Sequence, residues 1–228
     1  MNKAIFAIFA HPDDESFGPS GTLLMESLAG TTVNLITLTA GENGTNPDNL
    51  PNLSEVRLNE WKEAGRLIGA SKMHHFGFAD GALNNTDMQV VAGMIEKLVR
   101  AEYENMTPDT EIEFMTSDLN GVTGHIDHIV AARAACLAFY RLKESGLPMT
   151  RIRLACLSRE LLPDRNTDWI YIEAGKTPEQ IDETIDASEH YETIKQIMRA
   201  HHTQRDDGER HIAKRGRLIS INNFVVLK

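Results

Sequence analysis

Two short segments carry residue types suited to metal-dependent hydrolysis. The first is His11-Pro12-Asp13-Asp14-Glu15. A helix start accounts for Pro12 and for one or two acids, because proline suits the first turn and acids suit the helix N-terminus. It does not account for His11 beside three consecutive carboxylates, whose charges repel unless a cation offsets them. Imidazole and carboxylate together suit zinc and similar divalent cations. The second segment is His125-Ile126-Asp127-His128. On a helix, positions i and i+3 share a face, so His125 and His128 project together. The competing reading starts the helix at Thr123 or Gly124 and leaves both histidines exposed in its first turn. Together the segments offer two histidines and one carboxylate with an open position, the pattern of a catalytic rather than a structural zinc site. A metal in such a site acidifies water. A spare carboxylate remains as general base, and a spare histidine remains to stabilise an oxyanion or protonate a leaving group.

The elements that must position these segments follow from apolar patterning. Residues 3–10, 32–39, 73–78, 111–116, 151–157, 169–172 and 218–227 read as strands, and residues 13–30, 54–68, 87–104, 125–144 and 189–202 as helices. Residues 41–52 form a Gly/Asn/Pro loop, and 180–188 fits helix or strand. Residues 205–217 are so charged that they read as a solvated loop, with a flap over the site as the second reading. Strand–helix alternation predicts a Rossmann-like, three-layer α/β domain with a mostly parallel sheet, one domain over residues 1–228. Ligands bind such sheets outside the carboxyl ends of the strands, and both His/Asp segments fall there.

Composition narrows the classes. The chain has 228 residues, 41% hydrophobic and 25% charged, as a soluble globular protein does. Its net charge of −10 disfavours nucleic-acid partners. Two cysteines, Cys136 and Cys156, without a CxxC pair, argue against a disulfide framework and against a thiolate zinc site. The apolar run Ala4 to Ala10 is too short to span a membrane and lacks a cleavage pattern after it, which predicts a cytoplasmic protein with no membrane partner.

The ordered pair of segments resembles the PIG-L/LmbE family of zinc-dependent N-acetylglucosaminyl deacetylases. Gly21-Thr22-Leu23, Leu38-Thr39-Ala40-Gly41-Glu42-Asn43-Gly44, Arg57-Leu58-Asn59-Glu60, Gly77-Phe78-Ala79-Asp80 and His202-Thr203-Gln204 extend the resemblance in order over nearly the whole chain. By position, the resemblance implies His11, Asp14 and His128 as zinc ligands and Asp13 as general base. It implies His125 as oxyanion stabiliser or acid, and Asp127 as the group that orients a histidine. Arg57 and Asp80 would bind substrate, a small N-acetylated sugar. Homo-oligomers, trimers or hexamers, are a family-level expectation, and other divalent metals fit the same donors. Two departures stand out. Ile126 replaces a usual proline, and Gly18-Pro19-Ser20-Gly21 replaces a usual glycine pair, which bears on which sugar fits.

Other motifs carry less. Gly175-Lys176-Thr177 ends like a phosphate loop, but Ile170 stands where its first glycine belongs, so a turn capped by Thr177 is the better reading. His74-His75 reads as strand, and His201-His202 as a helix end where histidine suits the dipole, with one ring lining the pocket as the second reading; His190 and His211 have no evident partners. The leading expectation is thus a zinc-dependent de-N-acetylase. The alternatives are a zinc amidohydrolase acting on a non-sugar N-acyl substrate and a non-catalytic metal-binding module. The extra carboxylate Asp13 speaks against the last, since a pure ligand set does not need it.

Overall fold

A computed structural model describes residues 2–162 and 170–228. The chain order is β1 (Lys3–Phe9), α1 (Asp14–Phe17), α2 (Ser20–Leu28), β2 (Thr32–Thr39), α3 (Leu53–Ile68), β3 (Lys72–Phe78), α4 (Asn85–Tyr103), β4 (Glu111–Ser117), α5 (Gly121–Gly124), α6 (Ile126–Glu144), β5 (Met149–Cys156), β6 (Glu183–Asp186), α7 (Tyr191–Arg199), α8 (Arg205–Arg215) and β7 (Ile221–Leu227). The seven strands form one sheet in the order β3-β2-β1-β4-β5-β7-β6. The first five run parallel, and β7 runs antiparallel to both β5 and β6.

The unbroken apolar run of β1 has a direct cause. Ala4, Phe6, Ile8 and Ala10 pack with α4 and α6, while Ile5, Ala7 and Phe9 pack with α2, α3 and α7. A strand buried on both faces has no polar side to alternate with. Helix α6 approaches the sheet closely because Ala131, Ala134, Ala135 and Ala138 form its buried stripe. The result is the three-layer α/β arrangement expected from the alternation. Among the described residues no helix is long and apolar enough to cross a membrane.

Three segments differ from their sequence reading, and a fourth, open between helix and strand, resolves as strand. The expected helix 13–30 is two helices, broken at Gly18-Pro19: the Gly18 amide closes α1 on Asp14 O at 3.0 Å, and Pro19 opens α2. The expected solvated loop 205–217 is α8 followed by a 3-10 turn, Gly216–Ser220. The ambiguous segment 180–188 supplies the edge strand β6. Of the expected strand 169–172, Trp169 lies outside the described residues, and Ile172 takes part only in an isolated bridge.

The sheet order reverses between β1 and the central strand β4. A crevice opens at the carboxyl ends of strands at such a reversal. Loop 10–14 leaves β1 at that point, and loop 118–125 leaves β4 beside it. Topology therefore brings the two His/Asp segments together although they lie far apart in sequence.

Candidate metal centre and active site

The loop after β1 is folded back by its own acid. Asp14 Oδ2 accepts the backbone N–H groups of Ala10 at 3.1 Å and His11 at 3.0 Å. Asp13, between turn and helix, sits at φ 125°, a left-handed conformation that is strained for a residue with a Cβ. Its carbonyl accepts the amides of Ser16 and Phe17 at 2.9 and 2.8 Å, which starts α1.

His11 Nε2 faces two carboxylates, Asp80 Oδ1 at 2.9 Å and Asp127 Oδ2 at 3.3 Å. A ring nitrogen between two acceptors carries the hydrogen, so Nδ1 of the neutral ring presents a lone pair. Asp127 is itself held by the amides of Gly81 at 2.8 Å and Leu83 at 3.2 Å, and Asp80 by the amide of Asn43 at 2.9 Å. His128 Nδ1 faces the carbonyl of Gly121 at 3.1 Å, so His128 presents a lone pair on Nε2.

These two lone pairs point at one another. His11 Nδ1 lies 3.0 Å from His128 Nε2; Asp14 Oδ1 is 3.2 Å from that same nitrogen, and Asp14 Oδ2 is 3.7 Å from His11 Nδ1. With both rings neutral these are three converging acceptors, which a proton or a metal cation reconciles. Ligands placed 2.0–2.2 Å from a tetrahedral ion stand roughly 3.3 Å apart, so the spacing fits a divalent cation. The charge environment agrees. Burial works against a charged His11, but Asp127, Asp80 and Asp14 outweigh it and push the ring up to about 10. Burial likewise opposes a charged Asp14, and His128 and His11 outweigh it, holding Asp14 well below the usual carboxylate range.

His125 stands apart from this set although His11, His125 and His128 each offer a nitrogen within 4.8 Å of the others. It is the N-cap of α6, where its Nδ1 accepts the Asp127 amide at 3.2 Å. Its Nε2 therefore carries the hydrogen and is a donor. Its ring centre is 5.0 Å from each of the other two. Ile126, between His125 and Asp127, is exposed.

Asp13 is paired with a residue expected on the substrate. Arg57, 3% exposed, donates from Nη2 to Asp13 Oδ2 at 2.8 Å and to Pro12 O at 2.7 Å, and from Nη1 to Gly41 O at 2.6 Å. Burial pushes the Asp13 carboxyl up to about 6 against the opposing charge of Arg57. Asp80, also expected on substrate, lies behind His11 with one oxygen and on the Asn43 amide with the other.

Sequence reasoning left Glu15 and Ser16 without a role. Glu15 is 1% exposed and accepts the Ser16 hydroxyl at 2.5 Å, and His201 Nε2 lies 2.9 Å from Ser16 Oγ. This buried trio ties α1 to the end of α7, and the third acid of the first segment was its only signal. Glu60 accepts both the amide and the hydroxyl of Thr203, at 2.9 and 2.7 Å, and Gln204 Nε2 donates to Thr45 O at 2.9 Å, so the late Thr-Gln pair fastens α3 and the loop after β2. The cysteines are free, and burial pushes Cys156, on the cavity wall, up to about 12, which keeps its thiol protonated.

All of the implied site residues except Asp127 line one cavity of about 690 Å³, a size suited to a small-molecule ligand. Asp127 lies just behind it, against His11. A family model described as PIG-L, GlcNAc-PI de-N-acetylase, matches residues 6–139. The chain is 27% identical over 165 residues to "Probable N-acetyl-alpha-D-glucosaminyl L-malate deacetylase 2" of Bacillus cereus, covering 70% of this chain and 71% of that protein. It is 30% identical over 234 residues to "1D-myo-inositol 2-acetamido-2-deoxy-alpha-D-glucopyranoside deacetylase 2" of Saccharopolyspora erythraea, covering 89% of this chain and 84% of that one. The fold matches that of N,N'-diacetylchitobiose deacetylase from Pyrococcus horikoshii with a TM-score of 0.73 at 19% identity, over 99% of this chain and 84% of that chain.

Proposed function

The chain belongs to the PIG-L, GlcNAc-PI de-N-acetylase, family, and from that premise we propose that it is a zinc-dependent hydrolase that removes the acetyl group from an N-acetylglucosamine-type substrate. In this reading residues 1–228 act as one cytoplasmic catalytic domain. The observation that carries the chemistry is the convergence of His11 Nδ1, His128 Nε2 and the Asp14 carboxylate across 3.0–3.7 Å, a spacing that suits a divalent cation. Those three residues would hold the metal, which supplies Lewis acidity toward water and the amide carbonyl.

The remaining groups divide the proton work. Asp13 is a carboxylate outside the ligand set but beside it, and its value near 6 lets it accept a proton from the attacking water near neutral pH. Arg57 holds that carboxylate in place through Oδ2. The Nε2–H of His125 donates to the oxygen that gains charge as the carbonyl carbon becomes tetrahedral. The proton taken by Asp13 then passes to the departing nitrogen, the C–N bond breaks, and the free amine and acetate leave. Asp80 and Asp127 keep the hydrogen of His11 on Nε2, away from the centre.

The test is acetate release from N-acetylglucosamine and diacetylchitobiose, before chelation, after it, and after zinc is restored. Release that stops with chelator and returns with zinc supports the proposal. Release that persists in chelated protein removes the metal from the reaction. A higher kcat/KM on an N-acetyl amine without a sugar ring would move the substrate class instead.

A further inference from the structure

The cavity has a second end that the reaction leaves unused. One wall is α8 with the Gly216–Ser220 turn, where Asp207, His211 and Arg215 recur at every fourth residue and all line the cavity beside Leu218 and Ile219. This wall is fixed against α1, because the His211 ring stacks on Phe17 with centroids 5.5 Å apart and planes 25° from parallel.

The charges along the cavity are otherwise matched. Asp13 pairs with Arg57, Asp14 and Asp80 face histidines, and Asp207 pairs with Arg210 at 2.8 Å. Arg215 is the permanent cation of the lining that has neither a carboxylate nor a hydrogen-bond acceptor among the described residues. Its position at the last residue of α8 suits the helix dipole. A dipole alone, however, does not require the side chain to leave water, and burial pushes this guanidinium below its ordinary value. A half-buried guanidinium with its hydrogens unanswered, beside leucine and isoleucine side chains, is a fork set for a planar anion, because it forms paired hydrogen bonds that strengthen where water is excluded. His211, which burial and Arg215 push down to about 4, remains neutral beside it and adds a hydrogen-bonding group without a competing charge.

We propose that Arg215 binds an anionic group, a carboxylate or a phosphate, on the part of the substrate beyond the N-acetyl sugar, and so makes this chain select anionic glycosides over neutral ones. The proposal rests on the deacetylase reading for the identity of the sugar. The polarity of the cavity gives the orientation. Asp13, Asp14 and Asp80 at one end already have their partners, whereas Arg215 at the other has none among the described residues, so the amide goes to the metal centre and the anion to α8.

The test compares the binding of three deacetylated glucosaminides that differ only in the aglycone: a hydroxy-dicarboxylic acid, an inositol phosphate and neutral inositol. Each is titrated calorimetrically into the zinc-loaded protein and into Arg215→Gln, Arg215→Lys and Arg217→Gln. Arg217 lies outside the lining, over the ring of Tyr191. The protein is expected to bind at least one anionic ligand ~10–100-fold more tightly than the neutral one. Arg215→Gln erases the preference, Arg215→Lys keeps part of it, and Arg217→Gln keeps it whole. The better anionic ligand tells carboxylate from phosphate. Equal affinity for all three ligands, or a preference that survives in Arg215→Gln, overturns the proposal. Binding does not need turnover: an anion preference in a protein that releases no acetate from the corresponding acetylated glycosides refutes the deacetylase reading and sustains the role of Arg215.

Discussion

Arg57 Nη2 lies 2.8 Å from Asp13 Oδ2, so a side chain of the cavity lining grips the proposed base. The pairing sets a pH dependence with a definite sign. Burial drives the Asp13 carboxyl upward and Arg57 restrains it. Without Arg57, burial and the neighbouring Asp14 act unopposed by that charge, and the carboxyl stays protonated to a higher pH. Only the ionised form accepts a proton, so the acidic limb of kcat/KM moves upward in Arg57→Gln. A shift of one unit costs about tenfold at a pH below both values and little above them. A pH–rate profile of the variant that keeps its limb in place would contradict the pairing.

Two glycines make room for that arginine. A Cβ at Gly41 would overlap Arg57 Cζ, and one at Gly44 would overlap Arg57 Nη1; Gly41 also needs φ +66°. Gly44→Ala is expected to displace the guanidinium and with it Asp13, lowering kcat ~10–100-fold while the metal content stays at one equivalent. Gly93, in the middle of α4, offers the contrast: a Cβ there meets nothing within 4 Å. Gly93→Ala should stabilise the fold by ~0.5–1 kcal/mol, seen as a Tm rise of about 1–4 °C, with unchanged kinetics.

How much of this was visible beforehand depended on whether the signal was local. The metal segments were legible because a histidine beside three acids has no comfortable structural explanation. The sheet was legible because β1, buried on both faces, reads as an unbroken apolar run. Helix α8 was not, because among its eleven residues only Gly208 is buried, and a charged segment shows no apolar period to read. Its helical state and its place on the cavity come from packing against Phe17. The pairing of Arg57 with Asp13 was hidden for a related reason. On α3 Arg57 looks like any helix arginine, and its partner Asp13 is 44 residues away.

The proposed donor role of His125 separates chemistry from metal affinity. Its Nδ1 is occupied by the Asp127 amide and its Nε2–H faces outward as a donor. His125→Ala is therefore expected to keep its zinc and to lose ~100–1,000-fold in kcat, the effect of deleting one oxyanion donor. Zinc loss in this variant, measured by metal analysis after dialysis, would make His125 a ligand instead.

Stability should fall in acid partly through one pairing remote from the centre. Lys3 and Arg153 each meet Glu26 at 2.5 Å and, against the effect of burial, hold its carboxyl down to about 2. The folded state thus gains from ionised Glu26 at all pH values above the ordinary glutamate range, and that gain disappears as pH falls from ~5 towards ~2. Glu26→Gln lacks this contribution throughout. Urea midpoints of the two proteins should therefore differ most at pH 7, draw together below pH 5 and meet only near pH 2. A constant gap across that range would rule the pairing out as a source of acid sensitivity.

The most direct measurement sets two adjacent carboxylates against each other. Asp13→Asn and Asp14→Asn are prepared side by side, and zinc stoichiometry and acetate release are determined for both. The account predicts opposite failures. Asp13→Asn keeps one equivalent of zinc and loses at least ~100-fold in kcat, because only the base is gone. Asp14→Asn loses its zinc, and its activity follows the metal. Asp13→Asn turning over near the parent rate, or losing zinc as Asp14→Asn does, would contradict the division between base and ligand.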